Sequence, residues 1–557
     1  MLAIHTVLIM DSFTEQEKTI LSRFMTNTDK SIFALKNLPE VVMGALFSRY
    51  SRSQKSLRRV LFDEFINKPE TGFHEIVNYD MAKCGTDELV AIKKAEEFYD
   101  RVLVGFGDDS VAELAGAHIA IENVSIIASK VIEDARIGIS PLEKSTRYVY
   151  FDQKDANGHY LYLDEPTLCT GDGGGFSDLY KRTATGLFDT YSVLIPKISE
   201  HIQRKYPKAD GVSDRAYTST VRAKTCDVLR GILPAGTITN LGLFGNGRAF
   251  EYLIMKMYAH PLAEIRHIEM EMHEELSKVI PSFVKRANDQ YGKIQQNYIS
   301  ETENAISAIA RDVVGSTDAF APANPVTLIH YDTNEISEKK AVAAILYQHS
   351  HLSLEVILGK VESMNTEQRK KIIDEYCSRR SNRRHRPGRA FENINYTFDI
   401  LGNYGMYRDL HRQRVLTQER QLLSTHHGYD LPPEITEFGF ENEFRDAMET
   451  AKSTFNEIEA KFPHEAQYVV PLAYKIRWYV SMNLREAYHF CELRSMPQGH
   501  IDYRRIAQQI YLEIKRVHPN LSAHMKFVDM SEYELERLEA EKSIDKRIEE
   551  VKKKYGD

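Results

Sequence analysis

The sequence has few cysteines and no long apolar run. Its five cysteines are scattered through 557 residues without a C-x-x-C pair, which argues against a disulfide framework and against a zinc site. The N-terminus, MLAIHTVLIMDSFTEQE, contains an apolar stretch of about eight residues with no Lys or Arg before it, which is too short and wrongly flanked for export or for crossing a membrane. These absences predict a cytoplasmic protein in a reducing compartment.

The sequence also lacks net positive charge and the common glycine and histidine fingerprints. Its formal net charge of -8 provides no long-range attraction to nucleic acid or anionic membrane and so disfavours both partners. No Walker or dinucleotide-binding glycine pattern occurs, and His260, His267 and His273 form no H-E-x-x-H motif. Metal-dependent hydrolysis and Rossmann-type binding therefore have no support, and we predict no metal site.

What the sequence does contain is an internal repeat. Hydrophobic residues make up 42% and charged residues 27%, which is typical of a globular protein, and the length predicts roughly two to four domains. Pro234, Asn246 and Arg248 match Pro471, Asn483 and Arg485 at one constant offset along the chain. A weaker match relates AELAGAHIAIENVS, from residue 112, to AFENINYTFDILGN, from residue 390. A repeat of this length indicates a duplicated domain, although two unrelated helices with a chance N-x-R remain an alternative.

Local patterns divide the chain further. YVYFDQKDANGHYLYLDEP predicts a hairpin around an Asn-Gly turn, and the Pro/Ala/Asn-rich STDAFAPANPVTLIHYDTNE predicts a boundary near residue 330. The charged tail predicts a helix with a solvated face. We therefore expect an α+β protein with a sheet flanked by helices in each copy, divided into a helical N-terminal extension (1–95), a first copy (96–325), a second copy (326–530) and a charged C-terminal helix (531–557).

One segment of each copy carries a family resemblance. VIEDARIGISPLEKSTRY, residues 131–148, resembles the signature of flavin-dependent thymidylate synthases, in which an R-H-R triplet is followed by Ser and then by R-Y. The first copy reads Asp134-Ala135-Arg136 at the triplet and keeps Ser145, Arg147 and Tyr148. The second copy, RDLHRQRVLTQERQLLST, keeps a triplet as Arg412-Gln413-Arg414 and has lost the Ser-x-Arg ending. The losses in the two copies are complementary.

The same division appears downstream. Members of the resembled family carry one Arg four residues before the Pro of an L-P segment and another Arg that closes an N-x-R-x8-R run. Arg230 satisfies the first position where the second copy has Gln467, and Arg494 satisfies the second position where the first copy has Met257. The resemblance implies a homotetramer with active sites between subunits, so we expect the tandem chain to form a homodimer that imitates this tetramer, with composite sites shared by the two copies.

The resemblance also implies a reaction and a set of site residues. The reaction is reductive methylation of dUMP to dTMP, with 5,10-methylenetetrahydrofolate as carbon donor and NADPH as reductant of FAD. Arginine suits a phosphate because its planar fork donates paired hydrogen bonds. Arg494 is the expected catalytic residue, beside ring nitrogen 3 of uracil, and Ser145 is a binding group because no base adjoins it. The remaining predicted residues bind dUMP (Glu143, Ser145, Arg147, Arg230 and Arg412) or FAD (Arg412, Arg414, Asn483, Arg485, His489, Asn246 and Arg248).

Several alternatives stay open at this stage. Single arginines are usually solvated or in surface ion pairs, Asn246 and Asn483 could be helix caps, and His489 could be a core histidine. The literal triplet Arg384-His385-Arg386 has no Ser-x-Arg-Tyr after it, and this basic run could hold a folate tail or an NADPH phosphate, bind RNA, or be a solvated loop. The whole chain could instead be a flavin-dependent pyrimidine methyltransferase with a changed substrate, or a non-catalytic relic that binds nucleotide or RNA.

Overall fold

The chain forms two compact units whose bounds do not follow the two sequence copies. The computed structural model describes residues 13–29, 33–38, 40–50, 53, 55–67, 113–169, 175–315 and 324–555. The first unit comprises Met1–Glu122, Val131–Glu143 and Asn240–Gly315, and the second comprises Asn123–Lys130, Lys144–Thr239 and Ser316–Asp557. The second unit thus contains part of the first copy together with the whole of the second copy.

Both copies contain helices together with a small sheet, which confirms the α+β fold class with two tandem copies. In chain order the elements are α1 (Glu15–Phe24), α2 (Glu40–Tyr50), α3 (Leu57–Val60), a π-helix (Leu61–Ile66), β1 (Gly116–Ser125), α4 (Ile126–Glu133), β2 (Ile139–Glu143), α5 (Pro166–Cys169), α6 (Ser177–Lys205), α7 (Asp214–Leu229), a 3₁₀ turn (Arg230–Ile232), β3 (Ile238–Asn246), α8 (Gly247–Tyr258), α9 (Ala263–Val279), α10 (Pro281–Val284), a 3₁₀ turn (Lys285–Ala287), α11 (Gln290–Val314), β4 (Val326–Tyr331), α12 (Asn334–Tyr347), α13 (Leu354–Glu362), α14 (Thr366–Cys377), a 3₁₀ turn (Arg389–Asn393), β5 (Asn395–Asn403), α15 (Tyr404–Leu410), β6 (Thr417–Arg420), α16 (Pro433–Glu437), α17 (Glu441–Glu459), a 3₁₀ turn (Glu465–Val469), β7 (Lys475–Asn483), α18 (Leu484–Arg494), α19 (Ile501–Val517), α20 (Pro519–Ser522) and α21 (Leu538–Tyr555).

The N-x-R match of the sequence corresponds to one strand-to-helix turn that occurs twice. β3 leads into α8 and β7 leads into α18, with the same offset between the two pairs as in the sequence match. The Asn246 side chain accepts a hydrogen bond from Ala249 N at 2.8 Å, and Asn483 accepts one from Glu486 N at 2.9 Å. Each asparagine therefore caps its helix, since the oxygen satisfies a backbone N–H that has no partner within the helix. This shared geometry argues against a chance match.

The weaker sequence match, between the segments that begin at residues 112 and 390, also corresponds to a repeated set of structural elements. β1, α4 and β2 of the first copy recur as β5, α15 and β6 of the second copy. One constant offset relates the start of β2, Ile139, to the start of β6, Thr417, and also relates the triplet position 134–136 to 412–414. The strand order β1-β3-β2 likewise recurs as β5-β7-β6, to which β4 adds an outer strand beside β5.

The four-stranded sheet of the second unit has one face on the core. Its strands are antiparallel, and β5 pairs with β7 from Asn395 opposite Asn483 to Asn403 opposite Lys475. Side chains of a strand alternate between faces, so every second residue is buried. Each large apolar side chain buried in this way stabilises the fold by about 1.5–3 kcal/mol. The buried residues on the two central strands include Tyr396, Phe398, Ile400, Ile476, Trp478 and Val480.

One local prediction needs correction. The Asn-Gly turn forms, with Gly158 at φ 82° and Asp155 N donating to His159 O at 2.8 Å, but it carries only the single bridge between Lys154 and Tyr160 and no strands of a hairpin. The charged tail forms the predicted helix, α21, with a solvated face. On its other face, Arg215 of α7 donates to Glu541 at 3.0 Å, so α21 packs against that helix.

Candidate functional site

Arg147 is buried in a paired ion bridge within the second unit. Its Nε and Nη2 donate to the two carboxylate oxygens of Asp227 on α7, at 2.8 and 2.7 Å, and its Nη1 donates to Tyr503 Oη on α19 at 3.2 Å. Burial alone would raise the pKa of Asp227, but Arg147 outweighs burial and lowers it to about 2. The pair is therefore ionised at neutral pH.

Arg230 is joined to the second copy through Asp409. It lies at the end of α7, is 4% exposed, and donates from Nη1 to Asp409 Oδ2 at 2.9 Å. Arg412 Nη2 lies 3.4 Å from the other oxygen of Asp409. Burial would raise the pKa of Asp409, but Arg230, Arg147 and Arg412 lower it below its usual range. The Nη2 of Arg230 is buried with no hydrogen-bond partner among the described residues, so one side of this guanidinium has unused donor capacity.

Arg494, the last residue of α18, has no carboxylate partner in the described part of the chain. Its guanidinium lies 5.8 Å from the Tyr503 ring centroid, and that of Arg147 lies 5.6 Å from the same centroid. With its amide oxygen turned toward Arg494, Gln413 accepts from Nε and Nη2 at 3.1 Å each and donates to Glu486 Oε1 at 3.1 Å. Burial lowers the pKa of Arg494. Tyr503 and Asp409 act against burial, and the nearby arginines act with it.

These side chains form one group, which we call the arginine cluster: Arg147, Arg230, Arg412 and Arg494 with Asp227, Asp409 and Tyr503. Two of the arginines come from the first sequence copy and two from the second, and all lie in the second compact unit. Within this group four arginines face two aspartates, so the named side chains carry an excess of positive charge. A partly buried group of this kind favours an anionic ligand.

A cavity of about 330 Å³ adjoins the arginine cluster. Asp227, Arg230 and His500 lie in its wall, so small molecules have access to this side of the cluster. Farther along the wall, Asn403 Nδ2 donates to Asp430 at 2.9 Å and to Asp502 at 2.7 Å. These internal bonds hold the cavity wall in place.

The other predicted residues of the second unit lie on or near the same elements. The Ser145 hydroxyl accepts from Arg147 N at 3.2 Å and fixes the turn that carries Arg147. Arg414 is exposed. On α18, Arg485 pairs with Glu392 at 3.1 Å, and burial together with nearby arginines lowers the pKa of His489 to about 4. His489 is thus neutral at physiological pH.

Three predicted residues belong to the first unit instead. Glu143 ends β2 and is buried, Asn246 caps α8, and Arg248 pairs with Glu113 at 2.7 Å on an exposed surface. The structure therefore gathers Arg147, Arg230, Arg412 and Arg494 into one cluster, with Ser145 beside Arg147. The assignment of every one of these residues to a ligand stays a prediction.

Sequence reasoning missed the acidic and aromatic members of the cluster. A local signal existed for the aspartates, because Asp227 precedes Arg230 and Asp409 precedes Arg412 by three residues, a helical spacing that brings side chains together. The main partners are exchanged in the fold, where Asp227 binds Arg147 and Asp409 binds Arg230. Tyr503 has no comparable signal, since its contacts depend on how α19 packs.

Fold and cluster together define a class: a tandem-duplicated α+β protein with an arginine cluster assembled from both copies. The chain belongs to the thymidylate synthase complementing protein (Thy1) family, which it matches over residues 59–282 and again over 327–520. It is 46% identical to the UPF0159 protein of Chlamydia pneumoniae over 95% of this chain and 98% of that protein. It is 35% identical to a UPF0159 protein of Thermoplasma acidophilum, over 89% and 97% of the two chains. Within the described residues, no helix combines the length and apolar character needed to cross a membrane.

Proposed function

We propose that this protein is a cytoplasmic flavin-dependent thymidylate synthase. It would methylate dUMP reductively to dTMP, with 5,10-methylenetetrahydrofolate as carbon donor and NADPH as reductant of FAD. The observation that carries the proposal is the arginine cluster, in which Arg147 and Arg230 of the first copy meet Arg412 and Arg494 of the second. Membership of the Thy1 family supports the same reaction class.

The cluster suits a nucleoside monophosphate. A monophosphate carries close to two negative charges, and arginines outnumber aspartates in the cluster. Arg230 offers its unused Nη2, and Arg147 offers a guanidinium that Asp227 holds in a fixed orientation. Ser145, which already fixes the backbone of Arg147, supplies a hydroxyl beside it. Charge-assisted bonds of this kind are about twice as strong as neutral ones, so phosphate is the group that anchors dUMP.

Arg494 suits the reacting ring of dUMP. Uracil becomes nucleophilic at carbon 5 when negative charge develops on the ring, and a cation near ring nitrogen 3 stabilises that charge. Arg494 is the member of the cluster with no carboxylate partner among the described residues, so its charge is available to a ligand. Gln413 orients it through two hydrogen bonds without neutralising it.

The residues assigned to FAD fit a dinucleotide in charge and exposure. Bound FAD would supply hydride transfer, and the protein has to hold and orient it. Arg412 and Arg414 are exposed on the segment after α15 and can reach a diphosphate. His489 is neutral and therefore donates or accepts a hydrogen bond without adding charge. Asn483 and Arg485 on the same helix complete this part of the proposal, and Asn246 and Arg248 are the corresponding residues of the first copy.

The second copy has other residues at the positions that we assign to phosphate binding in the first copy, which supports one dUMP site per chain. Arg230 corresponds to Gln467, and Arg147 corresponds to Thr425 at the offset that relates the two triplets. Gln467 is 3% exposed, accepts from Leu423 N at 3.0 Å and donates to His464 O at 2.9 Å. Both the oxygen and the nitrogen of its amide are thus held in internal bonds. We infer that each chain binds one dUMP, and that a homodimer of chains carries two sites where four equal copies would carry four.

A flavin-binding and nucleotide-binding experiment tests the proposal. The protein is incubated with FAD, desalted, and its visible spectrum is recorded with and without dUMP, while dUMP affinity and stoichiometry are measured by calorimetry. We expect retained flavin, bands that shift with dUMP, and one dUMP per chain. Arg230→Ala and Arg494→Ala should each weaken dUMP binding at least about tenfold, the loss of one strong charge-assisted contact. Gln467→Ala is the matched control and should bind dUMP normally.

The outcomes separate the alternatives. Full dUMP binding by both arginine variants would show that the cluster is not the substrate site. Retained flavin with a pyrimidine other than dUMP as the preferred ligand would favour the methyltransferase with a changed substrate, for which Gln413 at the centre of the triplet is the supporting observation. Absence of retained flavin, combined with an RNA affinity that falls steeply with salt, would favour the non-catalytic relic.

A further inference from the structure

The basic run between α14 and β5 comprises residues 379–389 and is held firmly against α18. Arg380 is 8% exposed and donates to both oxygens of Glu492 on α18, at 3.0 and 2.6 Å, and to His524 O at 2.6 Å. Arg485 of α18 donates in turn to Pro387 O at 2.9 Å. A side chain at Gly388 would place its Cβ 1.9 Å from the Tyr376 hydroxyl, so the backbone packs closely against Tyr376 of α14. The run is therefore a fixed part of the surface.

Among the residues that the structure describes, the unpaired arginines of this run lie in its middle. At its ends, Arg379 pairs with Glu375 on α14, and Arg389 pairs with Glu392 at 3.2 Å. Arg383, Arg384 and Arg386 form no hydrogen bond or ion pair through their guanidinium groups with any residue that the structure describes, and they are half-buried or exposed. We call these three residues the basic patch.

The basic patch adjoins the end of the arginine cluster. The pKa of the partly buried His489 ring is lowered first by burial and then by the positive charges of Arg386, Arg383, Arg494 and Arg485, which help to keep the ring unprotonated. Burial raises the pKa of Glu486, and the charge of Arg386 acts against burial there. The Glu486 carboxyl group accepts a hydrogen bond from Gln413, the residue that orients Arg494. Positive potential thus continues along α18 from the basic patch to Arg494. In the first copy, the corresponding positions 105–108 read Gly-Phe-Gly-Asp and contain no arginine.

We propose that the basic patch binds the polyanionic tail of a small co-substrate whose reacting end lies near Arg494. Three guanidinium groups on a fixed backbone suit several closely spaced phosphate or carboxylate groups. The 2′-phosphate and diphosphate of NADPH, or the γ-linked glutamates of a folate, have this chemistry. Nucleic acid fits less well, because the flanking arginines are neutralised and the protein as a whole carries a net charge of -8. The inference rests on the proposed function for the identity of the co-substrate, and on the basic patch alone for the anion.

The test compares a variant of the basic patch with a matched arginine variant of the same run. Arg383, Arg384 and Arg386 are changed together to Ala in one protein, and Arg379, which is paired, is changed to Ala in the other. Affinities for NADPH, NADH, folic acid with one and with five glutamates, inorganic tripolyphosphate and a short single-stranded RNA are measured by calorimetry at two salt concentrations. dUMP binding is measured in parallel.

We expect the triple variant to lose about tenfold or more in affinity for tripolyphosphate and for one of the two co-substrates, with dUMP affinity unchanged and the Arg379 variant unaffected. The preference of NADPH over NADH, or of five glutamates over one, identifies the source of the tail. Equal affinity of wild-type and triple variant for every small anion would overturn the inference, as would a loss confined to RNA. If wild-type protein binds tripolyphosphate through the basic patch but retains neither dUMP nor flavin, the proposed function fails while the anion site stands.

Discussion

Asp409 of the second copy accepts a hydrogen bond from Arg230 of the first copy at 2.9 Å, deep enough that both side chains are almost hidden from water. A carboxylate in this place holds two arginines that would otherwise repel each other, since Arg412 approaches its second oxygen. Asp409 therefore occupies the position of an internal counter-ion. A ligand phosphate that binds Arg230 has to share that arginine with Asp409.

Replacing Asp409 by Asn should destabilise the protein and make it more dependent on an anion. Breaking a buried ion pair leaves an uncompensated charge and costs about 3–5 kcal/mol. Unfolding in urea can be followed by fluorescence, because the single tryptophan, Trp478, is 1% exposed in the folded protein. Saturating dUMP or phosphate should restore part of the loss. Asp446→Asn, at an exposed position of α17, is the control and should be neutral within about 0.5 kcal/mol. A variant that ligand does not rescue would contradict the counter-ion role.

The Arg147–Asp227 pair should govern stability in acid. The folded-state pKa of Asp227, about 2, lies below the value of an unfolded aspartate, so its contribution is present above about pH 4 and is lost as the pH falls toward 2. The size of this contribution is on the order of 2 kcal/mol. Asp227→Asn should lower stability at pH 7 and flatten the dependence between pH 4 and pH 2.5. An unchanged slope in denaturant titrations across that window would show that Asp227 is not the group involved.

The contribution of Glu486 to folding stability should have the opposite pH dependence. Burial raises its folded-state pKa to about 7, although Arg386, Arg485 and Arg494 act against burial. A raised pKa means that the favourable contribution is complete in acid and is lost as the pH rises through 7, because the buried carboxyl has to ionise. Glu486→Gln removes that cost and should stabilise the protein by about 1–3 kcal/mol at pH 8, with little change at pH 4.5. Equal stabilisation at both pH values would point to packing instead of charge.

Gln467 and Arg230 occupy corresponding positions in the two copies. Replacing Gln467 by Ala should mainly lower stability, and replacing Arg230 by Ala should mainly lower dUMP affinity. Gln467→Ala leaves the buried Leu423 N–H without its acceptor and should destabilise the fold by about 1–3 kcal/mol while dUMP affinity stays within about twofold of wild type. Arg230→Ala should instead abolish most dUMP binding. Thermal unfolding and calorimetry on the same two proteins check both statements. Weakened dUMP binding in the Gln467 variant would imply a second site in the chain.

The sequence was sufficient to predict the duplication and the α+β class. A strand that leads into a helix through an asparagine cap needs a fixed order of residues, so Asn246 and Asn483 preserve the match that family membership confirms. Arg147, Arg230, Arg412 and Arg494 are singled out by the resemblance to the family signature, in which each occupies a defined position. Their use in dUMP binding stays a prediction.

The partners within the cluster could not be predicted, because they come from distant elements. Asp409 bonds Arg230 across 179 residues, and Tyr503 bonds Arg147 across 356. Local spacing would have paired Asp409 with Arg412, which is the longer contact in the fold. The extent of the Asn157-Gly158 hairpin was also overestimated, since aromatic and polar alternation alone does not secure a partner strand for every residue.

The covalent connection of the two copies has an evolutionary consequence. In an assembly of identical subunits, one gene change appears at every site at once, so a residue needed at any site is kept at all of them. In this chain the equivalents of Arg230 and Arg494 are encoded separately and have drifted to Gln467 and Met257. Each half of the gene is thus free to lose a residue that the other half retains. A half that has lost such a residue no longer contains the complete set of cluster arginines.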